Sequence, residues 1–288
     1  MSAVSNMVPP TSSPLVRVPT VVIAPSRGWS SLQLDRLWQY RELLYFMVWR
    51  DVKVRYKQTV LGVVWVALQP MLTVLIFTLL FGMLLKVPSG DMPYPVFALS
   101  GIVVWQYFTG SLSRVSGSLV NSAHLITKVY FPRLIIPLAG ALSGLVDFFV
   151  GLGLMMITMV VYHVRPTVML ALLPAFLLLA MITALGFGLW LAALNVRYRD
   201  VNHLVPFVIQ TWMYATPIAY GSSLIPDHYR WILGLNPMTG VVEGFRWALL
   251  RQPPPGDLFV LSVLISVIVL ATGVMYFRRT EHEFADII

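Results

Sequence analysis

From position 60 to position 85 the chain has no ionisable side chain. A helix of about 20 apolar residues, rising about 1.5 Å per residue, crosses a bilayer core, so this run is long enough to span one. The stretch before it, 31–58, has a different character. Leu37, Trp38, Tyr40, Leu43, Phe46 and Val48 alternate with charge, and Arg50, Lys53, Arg55 and Lys57 follow with one acid, Asp51. Such a helix suits the headgroup layer, with Trp38, Tyr40, Tyr45 and Trp49 as anchors at the water boundary. The expectation is an amphipathic interface helix that lies along the membrane, turns near 59–62 and dives. A plainer alternative is a signal-anchor with basic flanks, but the length and amphipathicity of the helix argue against it.

Charged residues make up 11% and hydrophobic residues 58% of the chain, against about 25% charged in a soluble domain. This is the composition of an integral membrane protein. The absence of cysteine excludes disulfides and thiolate metal sites. The net charge of +8 fits a positive-inside bias and anionic headgroups, and no basic module suggests a nucleic-acid partner. Prolines 9, 10, 14, 19 and 25 break up residues 1–30, and the apolar run at 21–24 is too short for a signal peptide. Residues 1–30 therefore read as a disordered cytosolic tail, leaving 31–288 as the membrane domain.

The fold expected is all-α, with six transmembrane helices at about 60–85, 96–119, 138–162, 167–194, 201–217 and 258–277. The second is rich in Gly and Ser over 110–118 and should pack against protein, because small residues let helix backbones approach in lipid. Arg114, near its inner end, is expected to snorkel to the headgroups. Residues 121–133 read as a short amphipathic helix outside the bilayer. Residues 218–252 hold apolar pieces too short to cross and fit a re-entrant helical hairpin at the outer face. Placing both termini in the cytosol puts 15 of the 20 Lys and Arg residues inside, as the positive-inside rule requires.

No catalytic constellation is legible. The chain has no Gly-Lys pair for a phosphate loop, no H-E-x-x-H and no G-x-S-x-G, and its five histidines are scattered. No catalytic or metal-ligating residue is therefore assigned. Asp147 is the one acid well inside a span. An intramembrane carboxylate is a functional suspect by default, but no chain of proton-relay partners is visible, so a packing role accepting hydrogen bonds from a neighbouring helix is favoured. Glu243 and Arg246 are spaced for a local ion pair, or could guard an outer exit. Arg50-Asp51 and the Arg197–Asp200 cluster suit either headgroups or a cytosolic partner. Aromatic residues such as Trp65, Phe77, Phe207, Trp212 and Tyr214 could line a path or simply face lipid and helices.

Several motifs taken together carry a family resemblance. They are W-R-D-V-K-V-R-Y-K-Q-T-V-L-G-V-V-W at 49–65 with Pro70, K-V-Y-F-P-R at 128–133, V-D-F at 146–148 and N-V-R-Y-R-D at 195–200. Y-A-T-P-I at 214–218, L-N-P-M at 235–238, G-F-R-W at 244–247 and F-R-R-T-E…F-A-D at 277–286 continue the series. The chain resembles, over about 35–288, the permease subunit of ABC exporters for O-antigen, capsule or teichoic acid.

The resemblance implies a homodimeric channel in the cytoplasmic (inner) membrane, with a separate ATPase chain beneath each copy, Mg-ATP bound only in that partner, and a lipid-linked polysaccharide as cargo. It further implies that Arg50, Asp51, Arg55, His124, Lys128, Tyr130, Arg133, Arg197, Arg199 and Asp200 couple to the ATPase, with 121–133 as the coupling helix. The first and fifth spans, with Trp65, Phe77, Phe207, Trp212 and Tyr214, would line the conduit, and Pro217, Glu243 and Arg246 would form an outer gate. The competing readings are a permease exporting a drug or small lipid, a membrane glycan-modifying enzyme and a secondary transporter. The enzyme lacks paired acids or a metal site, and the secondary transporter lacks further buried ionisable residues.

Overall fold

The computed structural model describes residues 34–57 and 62–284. The expected tail at 1–30 and Leu61 of the expected turn lie outside them. The described residues form helices joined by turns, in the order α1 (Leu34–Gln39), α2 (Arg41–Lys57), α3 (Gly62–Phe77), α4 (Tyr94–Asn121), α5 (Ala123–Ile126), α6 (Ile135–Val161), α7 (Leu173–Arg197), α8 (Val201–Ala215), α9 (Arg230–Gly234), α10 (Pro237–Leu250) and α11 (Asp257–Thr280). Among the described residues five segments are long and apolar enough to cross a membrane: Val64–Leu84, Tyr94–Asn121, Ile135–Val161, Val168–Arg197 and Asp257–Glu283.

Several expectations are corrected in detail. The expected fifth span contains only α8, whose 15 residues, with Pro206 inside, reach about 22 Å against a core of about 30 Å. In the first span Pro70 lies within α3, and Thr78–Leu84 widens into a π-helix. The expected coupling helix is one turn, α5, followed by an irregular loop through Arg133, since Pro132 cannot donate to a continuing helix. In the expected re-entrant segment, two single 3-10 turns and the five-residue α9 precede one full helix, α10.

The amphipathic stretch also departs from expectation. It breaks at Tyr40 into α1 and α2, and α2 does not cross the end of the bundle. Met47 is buried in a cluster with Ile135, Ile136 and Ala139 at the start of α6. Farther along α2, Arg55 pairs with Asp147, about 18 Å up α6 from Ile135 at 1.5 Å per residue. The two helices therefore travel together, and the basic end of α2 reaches well into the depth of the bundle.

The Gly/Ser-rich helix α4 is the axis of the fold, as its composition suggested. In its most apolar window 78% of the residues are buried, with Ser111, Ser116, Gly117 and Ser118 among them. It packs against α3, α6, α7, α8 and α10. The second close contact joins α7 to α11. A Cβ on Gly273 would stand 2.4 Å from the carbonyl oxygen of Gly186, so only hydrogen fits there. Beside this contact Thr183 and Ser266 share a hydrogen bond of 2.9 Å, and Trp190 stacks on Tyr276 with ring centroids 4.3 Å apart.

Gly273→Val should therefore destabilise the protein by about 1–3 kcal/mol through overpacking. Gly153→Ala, where nothing lies within 4 Å of the added carbon, should be close to neutral. Thermal unfolding in detergent, followed by tryptophan fluorescence, separates the two.

Candidate functional site

Asp147 holds three elements together. Arg114 on α4 reaches its Oδ2 at 3.3 Å. Arg55 and Tyr56 on α2 also donate to its carboxylate, Arg55 as an ion pair and Tyr56 through its hydroxyl. Arg114 does not snorkel. Its Nε donates to the Gly140 carbonyl at 2.9 Å and a terminal nitrogen donates to Ser111 Oγ at 3.2 Å. The guanidinium lies over Gly144, where a Cβ would come within 2.0 Å of it. Two cations thus share one carboxylate at a site about one quarter exposed on the acid. Burial, together with the hydrogen bond to Asp147, pushes the Tyr56 phenol up to about 12, so it stays protonated and remains a donor.

One end of the bundle collects most of the residues that the resemblance marks for coupling. His124, Lys128 and Tyr130 are exposed on α5 and its loop, with Tyr130 at 68%. The loop curls round a hollow of about 280 Å³ lined by Ile126, Lys128, Tyr130, Phe131 and Arg133. Arg133 is half-buried, and one of its terminal nitrogens lacks a partner among the described residues. Arg199 and Asp200 are exposed on the turn between α7 and α8. Arg197, from the same turn, donates to Glu283 at 2.6 Å. Arg50 pairs with its neighbour Asp51 at 2.9 Å. Arg55, grouped with these by the resemblance, points to Asp147 instead.

The residues marked as lining fall into two sets. Trp65, Phe207 and Tyr214 are 60%, 67% and 65% exposed. Trp212 and Phe77 are half-buried and packed. The Trp212 indole donates to Asn236 at 2.9 Å and sits edge-on to Phe108 and Phe187, and Phe77 sits edge-on to Phe81. A hollow of about 220 Å³ runs along α3, bounded by Trp65, Gln69, Leu72 and Thr73. On α8 the exposed residues include Asn202, His203, Gln210 and Thr211. Polar groups at bilayer depth are costly unless they meet protein or water.

At the end of α8 the backbone breaks at Thr216. Carbonyls released from a helix in a dry setting need donors, and Arg246 supplies them. One terminal nitrogen donates to the carbonyls of Pro217 at 2.6 Å and Tyr220 at 3.3 Å, and the other donates to that of Ile218 at 2.6 Å. The guanidinium stacks 3.7 Å above the Phe97 ring, and Gly101 leaves it room. The expected ion pair with Glu243 does not form. Glu243 is half-buried and acts on Arg246 only at longer range, because the arginine fork is already spent on carbonyls. Asn236 completes the junction. Its Oδ1 caps α10 through the Met238 amide, and its amide donates to Thr216 Oγ1 at 2.9 Å. Sequence reasoning quoted Asn236-Pro237 without seeing this role, although Asn before Pro is a legible cap followed by a first helical residue.

These features describe a multi-pass membrane bundle with a basic face at one end, exposed polar and aromatic side chains on α3 and α8, and a pinned junction where α8 ends. Residues 42–250 match the family described as ABC-2 type transporter, and the chain belongs to it. It is 31% identical over 256 residues to the O-antigen export system permease protein RfbA of Myxococcus xanthus, covering 87% of this chain and 96% of that protein. It is 27% identical to RfbA of Klebsiella pneumoniae, covering 86% and 95%. It is 26% identical to the polysialic acid transport protein KpsM of Escherichia coli, covering 81% and 91%. The chain is accordingly a multi-pass inner-membrane protein of this transport family.

Two outcomes follow from this geometry. Asp147→Asn leaves Arg55 and Arg114 facing each other without an anion and should destabilise by about 2 kcal/mol, less than a fully buried pair because the site is partly wet. Adding Arg55→Gln should recover part of that loss, a coupling that a double-mutant cycle reads directly. Arg246→Lys keeps the charge but loses the fork that reaches three carbonyls, and should cost about 2 kcal/mol in the same unfolding assay.

Proposed function

We propose that the chain is the channel-forming half of an exporter that moves a lipid-linked polysaccharide, O-antigen-like or another surface glycan, outward across the cytoplasmic membrane. Two copies pair through the exposed flank of α3 and α8. In this reading both termini are cytosolic, and α8 with the residues after it completes a sixth crossing. The segment 218–252 dips back from the outer face. There Arg246 pins Pro217, with Glu243 beside it, at the outer gate. A separate ATPase chain docks on the α5 loop and the Arg199-Asp200 turn, and binds the Mg-ATP that drives the cycle.

The observation that carries this reading is the exposure of mixed aromatic and polar side chains on two helices, Trp65 and Gln69 on α3 and Asn202, Phe207, Gln210, Thr211 and Tyr214 on α8. Aromatic faces with hydrogen-bonding groups between them suit a sugar chain, and lipid tails offer nothing to such groups. A permease for a drug or small lipid is the second reading. Its support is weaker, since exposed Asn202, Gln210 and Thr211 on α8 offer hydrogen-bonding groups that a small apolar cargo would not use.

Deletion of the gene followed by analysis of lipid-linked glycans tests the proposal. Glycan should vanish from the cell surface and accumulate on its lipid carrier inside. Unchanged surface glycan with none retained inside contradicts the export assignment.

A further inference from the structure

The F-R-R-T-E…F motif at the end of α11 has no part in the path or the outer junction. The chain does not simply leave the membrane there. After α11 it makes one 3-10 turn, Glu281–Glu283, and buries Phe284 to 1% exposure. Its ring meets Phe277 edge-on, with centroids 5.3 Å apart. Both phenylalanines belong to the apolar cluster that holds Ile126 and Phe131 of the α5 loop, Leu119 of α4 and Met47 of α2. Glu283 is tied to Arg197 at 2.6 Å, and Glu281 lies within electrostatic reach of Arg133 and Arg278. A chain segment beyond a last helix ordinarily frays in water. This one is anchored at an aromatic residue and at an ion pair.

The α5 loop needs such support. Its helical main-chain bonds stop at Val129, whose amide donates to the Leu125 carbonyl, and from Tyr130 to Arg133 no helix holds it, so the loop leans on the burial of Ile126 and Phe131. Its outward residues, Val129 at 55% and Tyr130 at 68% exposed, can present a defined surface only if those anchors stay fixed.

We propose that Phe284 is a positioning residue that props the α5 loop from beneath, and that the segment 281–284 is a built-in brace of the cytosolic docking face. The structural part of this inference stands on the shared apolar cluster and the Arg197–Glu283 ion pair, and its consequence for an ATPase chain rests on the function proposed here. Removing the Phe284 ring leaves a void under Ile126 and Phe131, which the loop fills by moving, and the docking surface loses its single shape.

The absence of cysteine makes the test direct. A nitroxide on Tyr130→Cys reports the loop, and one on Val168→Cys, 90% exposed at the other end of the bundle, is the control. In the full-length permease in detergent, Phe284→Ala should raise label mobility at 130 and leave 168 unchanged. Without labels, it should lower co-purification of the ATPase chain about fivefold. Phe284→Leu, which refills most of the void, should restore both.

If Phe284→Ala fails to accumulate in membranes, Glu283→Gln decides, because it cuts the Arg197 tether at the exposed rim and should loosen 130 in the same direction by a smaller amount. Unchanged mobility at 130 overturns the brace, as does an equal rise at both positions. If the wild-type chain recruits no ATPase, the proposed function fails, while the spin-label comparison still judges the brace.

Discussion

Hydrocarbon offers no hydrogen-bond partner, so every charge and every interrupted helix in this chain must find its own. Two arginines show how that is done. Arg114 turns away from the headgroups towards Asp147, Gly140 and Ser111, and so locks α4 to α6. Arg246 turns into the junction after α8 and gathers three carbonyls of the broken backbone there. Each is accommodated by glycine on a neighbouring or facing turn, Gly144 for one and Gly101 for the other. Helix α4 carries Arg114 towards its C-terminal end and Phe97, which stacks on Arg246, near its N-terminal end. Both polar junctions are therefore hung on the most buried helix of the bundle.

Much of this was legible in the sequence. Long apolar runs marked the five crossing segments, alongside a sixth expected at 201–217, and the Gly/Ser content of α4 announced its burial. Asp147 was recognised as an acid needing donors, but the donors were not, since Arg55 and Tyr56 lie about 90 residues away in sequence and spacing carries no signal over that range. Their identity could have been suspected from charge balance, because a lone intramembrane acid demands a cation. The same blindness explains α2. Its composition reads as that of a boundary helix, and only the pairing with α6 reveals that its basic end is drawn inward. Glu243 and Arg246 failed for a different reason. Helical spacing favoured their pairing, but a buried broken backbone competed for the guanidinium and won.

The end of the bundle that carries the α5 loop combines two kinds of order. Its exposed rim is charged and weakly held, with ion pairs such as Arg50–Asp51 in water that contribute little. Beneath the rim, an apolar cluster joins α2, α4, α6, α7, the α5 loop and the C-terminal turn. A motion imposed on the loop from below would reach α2 and the spans through that cluster. In the proposed reading this is how a companion ATPase acts on a bundle that binds no nucleotide itself.

The central claim is that the flank of α3 and α8 faces a polar path. Single cysteines in this cysteine-free chain test it most directly through reaction with a charged, membrane-impermeant maleimide, which needs the thiolate and therefore water. The account predicts labelling at Gln210→Cys and Thr211→Cys on α8 in intact membranes, and none at Val267→Cys on the apolar outer side of α11. Protection at both α8 positions, or equal reaction at all three, would contradict it.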